Sequence, residues 1–279
     1  MAVVLITGCS SGFGKLAALE FARKGDHVFA SMRDTSKAAE LEQAKQAENL
    51  KLDIVQLDVT DETSVQNAIS EVIARAGRID VVVNNAGIAH HGPIEETDDA
   101  EFREIFDTNF FGAMNVIRAA APKLRQQGSG TIVNVSSLAG RVAPPFDGVY
   151  AASKFALEAA SDALYFELHP FGVRVCLVEP GGFETNIGNT QRVSRRFTEG
   201  SAYLELDKRF AEALTKLPAA GARGEAQEVA VMIYNAVYDK EPKLRYLVGQ
   251  DAELVGGLKR QLDDAQFEQT MRQSLDFWD

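Results

Sequence analysis

Three observations predict a doubly wound α/β fold on a parallel sheet of about seven strands. Short apolar runs rich in β-branched residues recur along the chain. Most are continuous rather than alternating, as expected of strands buried on both faces. Segments of helical length and composition separate them through the first 180 residues, the rhythm of strand–helix–strand units.

The first run, VVLIT (3–7), leads into TGCSSGFG (7–14) and a helix from Gly14 to Lys24, with Leu16, Leu19 and Ala22 on one stripe and Gly25 as its stop. HVFAS (27–31), LDIVQLDV (52–59), IDVVVNN (79–85), GTIVNVSS (130–137), VRVCLVEP (173–180) and LRYLVG (244–249) supply the other strands. Helices are expected near 36–47, 62–76, 98–127, 150–168 and 226–238. The chain reads as a single domain, 1–279, with no linker or repeat. The rhythm breaks between about 186 and 224. This insertion precedes the last strand, on the side where strand ends carry ligands, and is expected to be a substrate lid. The polar tail from 252 to 279 is expected to be helical, at an edge or a subunit contact.

Composition narrows the function. The 279 residues are 46% hydrophobic and 25% charged, with net charge −11. So acidic a chain lacks the electrostatic footprint for nucleic acid or anionic membrane. No 18-residue apolar stretch is present, and a strand starting at Val3 leaves no room for a signal peptide. Cys9 and Cys176 suggest neither a disulfide framework nor a metal site. The expected compartment is the reducing cytoplasm. The only histidine pair, His90-His91, reads as two polar loop residues.

Four motifs carry chemistry. In the Gly-rich loop, Gly8, Gly12 and Gly14 permit a tight turn, and the helix behind it offers unpaired N–H groups to a phosphate. The second strand ends in Met32-Arg33, about where a dinucleotide fold places the adenosine ribose. Met32 has no carboxylate for a free 2′-hydroxyl, and Arg33 can meet a 2′-phosphate, with Asp34 as a complication. VNNAG (83–87) ends the fourth strand as a close-approach loop, and Asp58-Val59 ends the third in a similar position. Tyr150 and Lys154 stand four apart in DGVYAASKFAL, on one face of a helix. A cation beside a phenol lowers a pKa that is otherwise about 10.

TGCSSGFG, NNAG, Ser136-Ser137, YAASK and PGGFET (180–185) occur in this order, and over about residues 3–250 the chain resembles the short-chain dehydrogenases/reductases. It is most similar to their NADP-linked branch, which includes hydroxysteroid and retinol dehydrogenases. The resemblance implies a Rossmann-type fold and an NADP(H)-dependent oxidoreductase interconverting a ketone or aldehyde and an alcohol. It implies Tyr150 as proton carrier, Lys154 on the nicotinamide ribose, and Ser137, thirteen residues before the tyrosine, as hydrogen-bond donor to the substrate oxygen. Asn109, expected mid-helix, continues a proton path to the lysine. The cofactor residues implied are Gly8, Ser10, Ser11, Gly12, Phe13 and Gly14 in the loop, then Arg33, Asp58, Val59, Asn85, Gly87, Pro180, Gly181 and Thr185.

An NAD(H)-preferring alcohol dehydrogenase of the same family is the alternative, and a non-catalytic NADP-binding regulator the rival class. No metal is expected. The partner is a small carbonyl or alcohol, and the family habit implies a homodimer or homotetramer. Phe146 and Phe183 suggest an apolar pocket, while Arg192, Arg195 and Arg196 read as a solvated helix face rather than an anion site.

Overall fold

The computed structural model describes residues 1–183, 191–217 and 224–277. Seven strands form one sheet: β1 (Val3–Ile6), β2 (His27–Met32), β3 (Leu52–Gln56), β4 (Val81–Asn84), β5 (Gly130–Val135), β6 (Val173–Pro180) and β7 (Arg245–Val248). All pair in parallel, in the order β3-β2-β1-β4-β5-β6-β7. Each strand was anticipated as an apolar run.

Between them lie α1 (Gly12–Arg23), α2 (Ala39–Glu48), α3 (Glu62–Ala76), α4 (Asp99–Phe106), α5 (Gly112–Gln127) and α6 (Gly148–Leu168). Later come α7 (Leu204–Leu214), α8 (Ala226–Tyr238), α9 (Gln250–Gln261) and α10 (Asp264–Leu275). Side chains alternate across the sheet. Val4 and Ile6 join a core with α1, α2 and α8. Val3 and Leu5 join the opposite core with α3, α5 and α6. Burial on both faces is why β1 reads as an unbroken apolar run.

The stretch expected as one helix over 98–127 is broken. Asp98 starts α4 with a capping box to Glu101, and a single π-helical turn over Asp107–Phe111 separates α4 from α5. Such turns recur at functional sites, and this one holds Asn109. The strand order reverses between β1 and β4, so the crevice at their carboxyl ends is where a ligand fits.

Candidate active site

The loop from β1 to α1 is shaped to admit an anion. Gly8 and Gly12 adopt left-handed backbone, φ +73° and +56°. A Cβ on Gly14 would lie 2.5 Å from the Gly8 carbonyl oxygen, so the close turn requires glycine there. Ser11 caps α1 without a side-chain hydrogen bond, and the first turn carries no acid. Those N–H groups and the helix dipole therefore favour a phosphate. Asn85 braces the loop: its Nδ2 donates to the carbonyls of Thr7 at 2.8 Å and Gly8 at 3.2 Å. Cys9 is fully buried, with its thiol pushed up to about 12 by desolvation, and is inert.

At the end of β2 the expectation for Met32 needs correcting. Its side chain is 2% exposed and packs in the core, because it continues the inward alternation of the strand. The first residue facing out is Arg33. Asp34, expected to oppose it, is engaged locally. Its Oδ1 accepts from the Ser36 amide at 3.1 Å and the Ser36 hydroxyl at 2.6 Å, which holds the carboxyl below its usual range. Asp58, at the end of β3, accepts from the Thr60 amide and hydroxyl at 3.0 and 2.8 Å. Val59 is buried against Gly112.

The residues expected to handle protons gather at the ends of β5 and β4. The Ser137 hydroxyl faces the Tyr150 phenol and favours its ionised form; Ser137 Oγ accepts from the Ala139 amide at 3.1 Å and reaches the Pro180 carbonyl at 3.5 Å. Ser136 faces inward and is buried. Tyr150 is half-buried and Lys154 buried, with the ammonium 5.8 Å from the phenol ring centroid.

The expected lowering of the phenol does not occur in this arrangement. Lys154 Nζ donates to the Val135 carbonyl at 2.9 Å instead of pointing at the phenol. Desolvation then dominates, pushing Tyr150 up to about 12 despite the Ser137 hydroxyl, and Lys154 down to about 8.

Asn109 is 1% exposed and sits in the π-turn, not mid-helix. Its Oδ1 accepts from the Ile88 amide at 2.8 Å, and its Nδ2 donates to the Ile88 carbonyl at 2.9 Å. Nδ2 also donates to Ser153 Oγ at 3.0 Å. The turn frees Asn109 from helix geometry, so both amide ends are satisfied. A Cβ on Gly87 would lie 3.3 Å from Asn109 Oδ1 and 3.7 Å from Lys154 Nζ, so this glycine belongs to the same cluster.

Past β6, Gly181 admits no side chain. A Cβ there would lie 1.9 Å from Asp251 Oδ1, and Asp251 Oδ2 accepts the Gly182 amide at 2.7 Å. Asp251 opens α9, far along the chain, and no motif marks it. Thr185 lies outside the described residues. Phe183 packs edge-on against Phe13, centroids 5.8 Å apart, and joins the core beside α1 rather than lining a pocket.

Phe146 holds a left-handed φ of +66° and packs with Phe210 of α7 and Phe277. The histidine pair is not a polar loop. His90 is fully buried, and His90-His91 pairs in parallel with Arg192-Val193. His91 stands 3.5 Å from Asp147 and 3.2 Å from Asp207 of α7; the Asp147 hydrogen bond, then Asp207, raises its pKa. Arg192 and Arg195 lie on no helix. Arg192 pairs with Glu104 at 3.2 Å, and Arg195 with Asp98 at 3.3 Å.

Among the described residues no helix is long and apolar enough to cross a membrane, and no cluster of metal-ligating side chains is present.

Comparison with known proteins agrees with this geometry. The family described as short chain dehydrogenase matches residues 2–196. A 3-ketodihydrosphingosine reductase from Bacteroides thetaiotaomicron is 35% identical over 248 residues, covering 88% of this chain and 87% of that protein. A short-chain dehydrogenase from Streptomyces avermitilis has a TM-score of 0.81 at 34% identity, covering 99% of this chain and 97% of the other. At 25% identity are two ligand complexes. A gluconate 5-dehydrogenase from Burkholderia cenocepacia holds NADP and tartrate (TM-score 0.74, coverage 91% and 95%). A short chain dehydrogenase/reductase from Burkholderia phymatum holds NAD (TM-score 0.78, coverage 96% and 95%). With a nucleotide cradle at the switch point of a seven-stranded parallel sheet, this chain belongs to the short-chain dehydrogenase/reductase family, oxidoreductases that act on CH–OH and C=O groups.

Proposed function

We propose that this oxidoreductase uses NADP(H) to interconvert a largely apolar ketone or aldehyde and its alcohol, with Tyr150 as the proton carrier. One observation carries the reading. The facing Ser137 and Tyr150 hydroxyls and the buried Lys154 share the crevice with an α1 N-terminus that no side chain caps. That cradle suits the cofactor: Gly8, Gly12 and Gly14 with Ser10, Ser11 and Phe13 would hold its pyrophosphate, and Asp58, Val59, Gly87, Pro180 and Gly181 would border its remainder.

When bound, the nicotinamide supplies or accepts the hydride. Negative charge grows on the substrate oxygen as a carbonyl is reduced, and Ser137 donates a hydrogen bond to it, an interaction worth about 10²–10³ in rate. Tyr150 delivers the proton from its hydroxyl. Because burial keeps the phenol neutral to about 12, the acid is ready for reduction across the physiological range. Lys154 would hold the ribose, and Asn109 keeps its surroundings in place.

Arg33 supports NADP(H), since it faces out where the 2′-phosphate sits and Asp34 is turned into its own cap. Phe146, Phe197, Tyr203 and Phe210 cluster near His91. The neighbouring Arg192 and Arg195 are already ion-paired. Both points favour an apolar substrate, and the Bacteroides relative is named for reduction of a keto compound. The segment 186–224 is read as the lid, of which α7 is the helical part. Phe155 and Phe166 of α6, with Phe111 before α5, are 43%, 73% and 49% exposed, which supports self-association into a dimer or tetramer.

A panel of apolar ketones and aldehydes, assayed with NADPH and NADH, tests the proposal. Turnover faster with NADPH is the expected result. Cofactor binding without turnover of any carbonyl would favour the regulator, and faster NADH turnover the NAD-linked enzyme.

A further inference from the structure

Beneath Lys154, α6 and β6 bring two carboxyl groups together. Glu158 follows Lys154 by one helical turn, and Glu179 immediately precedes Pro180. They are 5% and 2% exposed. Glu158 Oε2 accepts from Arg245 Nε at 3.0 Å, and Arg245 Nη2 is spent on Asp162 at 2.5 Å. Glu179 Oε1 lies 3.1 Å from Arg245 Nε and 3.6 Å from Arg141 Nη1. The first of these is misaligned for a hydrogen bond and the second too long. The Ser136 hydroxyl lies beside Glu158 without alignment either.

Glu158 Oε1 and Glu179 Oε1 are therefore both buried with no donor. The two carboxyl groups meet at one guanidinium nitrogen, Arg245 Nε, which lies 3.0 Å from Glu158 Oε2 and 3.1 Å from Glu179 Oε1. A proton held between them would supply the donor that their buried oxygens lack. Two like charges in one buried site are also strongly disfavoured, and such pairs titrate as a unit.

We propose that Glu158 and Glu179 share one proton at mildly acidic pH, and that the charge of Glu158 keeps the buried Lys154 in its ammonium form. The groups facing the pair are Lys154 and Asp162 from α6, Arg245 from β7, and Ser136 and Arg141 from the turn after β5. Among these, Lys154 alone handles the proposed chemistry, so Glu158 and Glu179 are positioning residues. Burial, and then the charge of Glu158, pushes Glu179 up to about 7; burial raises Glu158 too. For Lys154, burial opposes the charge and Glu158 favours it.

The first half of the proposal is independent of the function; the second rests on Lys154 serving the bound cofactor. Infrared spectra of the intact chain in H₂O and D₂O test the first half. At mildly acidic pH the wild type should show the C=O stretch of one buried carboxylic acid, shifted in D₂O and fading as pH rises through about 7. Glu158→Gln and Glu179→Gln should each lose that band, because the amide supplies the hydrogen and the remaining carboxyl ionises. No acid band in the wild type, or its survival in both variants, overturns the shared proton.

The pH dependence of NADPH affinity tests the second half. Glu158→Gln should lower the alkaline midpoint of binding by about one unit or more, and Glu179→Gln should lower it by clearly less. Equal shifts, or none, overturn the link to Lys154. The expected bands in a protein that binds neither NADPH nor NADH would uphold the pair and overturn the functional reading instead.

Discussion

Asn109 Nδ2 donates to Ser153 Oγ at 3.0 Å, fastening the π-turn between α4 and α5 to α6 one residue before Lys154. Ser153 Oγ in turn donates to the Tyr150 carbonyl at 2.7 Å. The bulged turn is thus tied directly to the helix that carries Tyr150, the proposed proton carrier. Asn109→Ala leaves the Ile88 amide and carbonyl without their partner and should cost about 1–3 kcal/mol of stability. Denaturant unfolding measures that loss, and turnover should fall with it. An unchanged midpoint and unchanged turnover would remove Asn109 from the site.

Tyr150→Phe removes the phenol hydroxyl and keeps the ring. Turnover should fall by at least about 10²–10⁴ while cofactor affinity and fold persist. In the wild type, the phenol stays protonated below about 12. Reduction should therefore vary little with pH around neutrality, whereas oxidation, which needs the phenolate, should accelerate as pH rises. Lys154 loses its charge above about 8, so the KM for cofactor should climb there. Rate profiles in both directions separate the two effects, and an oxidation rate independent of pH would contradict the assignment of Tyr150.

The adjacent serines should behave differently. Ser137 faces Tyr150, and Ser136 is turned into the protein. Ser137→Ala should lower kcat by about 10²–10³ with little change in cofactor affinity. Ser136→Ala should do much less. A larger loss for the inner serine would assign the hydroxyl to the wrong residue.

Arg33 offers a planar fork to a phosphate. A charge-assisted hydrogen bond of this kind is worth about 1.5–3 kcal/mol. NADPH should therefore bind roughly 10- to 100-fold more tightly than NADH. Arg33→Ala should abolish most of that difference and barely alter NADH affinity. Salt should narrow it, because the side chain is exposed. Dissociation constants for both cofactors, in wild type and variant, measure it; tighter NADH in the wild type would overturn the NADP assignment.

Local features were the legible ones. Continuous β-branched runs announced all seven strands, and a four-residue gap put Tyr150 and Lys154 on one helix face. Contacts between distant elements leave no such trace. Asp251 meets Gly182 across 69 residues, and Glu158 and Glu179 meet at Arg245 from helix and strand. His91 looked like a loop residue because Asp147 and Asp207 approach it from two other segments. Spacing placed Lys154 beside Tyr150 correctly, but not the Val135 carbonyl that draws its ammonium aside. The π-turn at Asn109 was hidden because apolar periodicity continues across it.

Phe277 packs tilted against Phe210 with centroids 5.0 Å apart, and Phe210 against Phe146 at 6.1 Å, so the segment behind α10 forms the footing of α7. A substitution at Phe277 would loosen that footing. Trimming a few residues there would pull a wedge from beneath the helix beside the catalytic crevice. Changes at this remote terminus would then surface as altered substrate affinity, in an assay that nobody would think to blame on the tail.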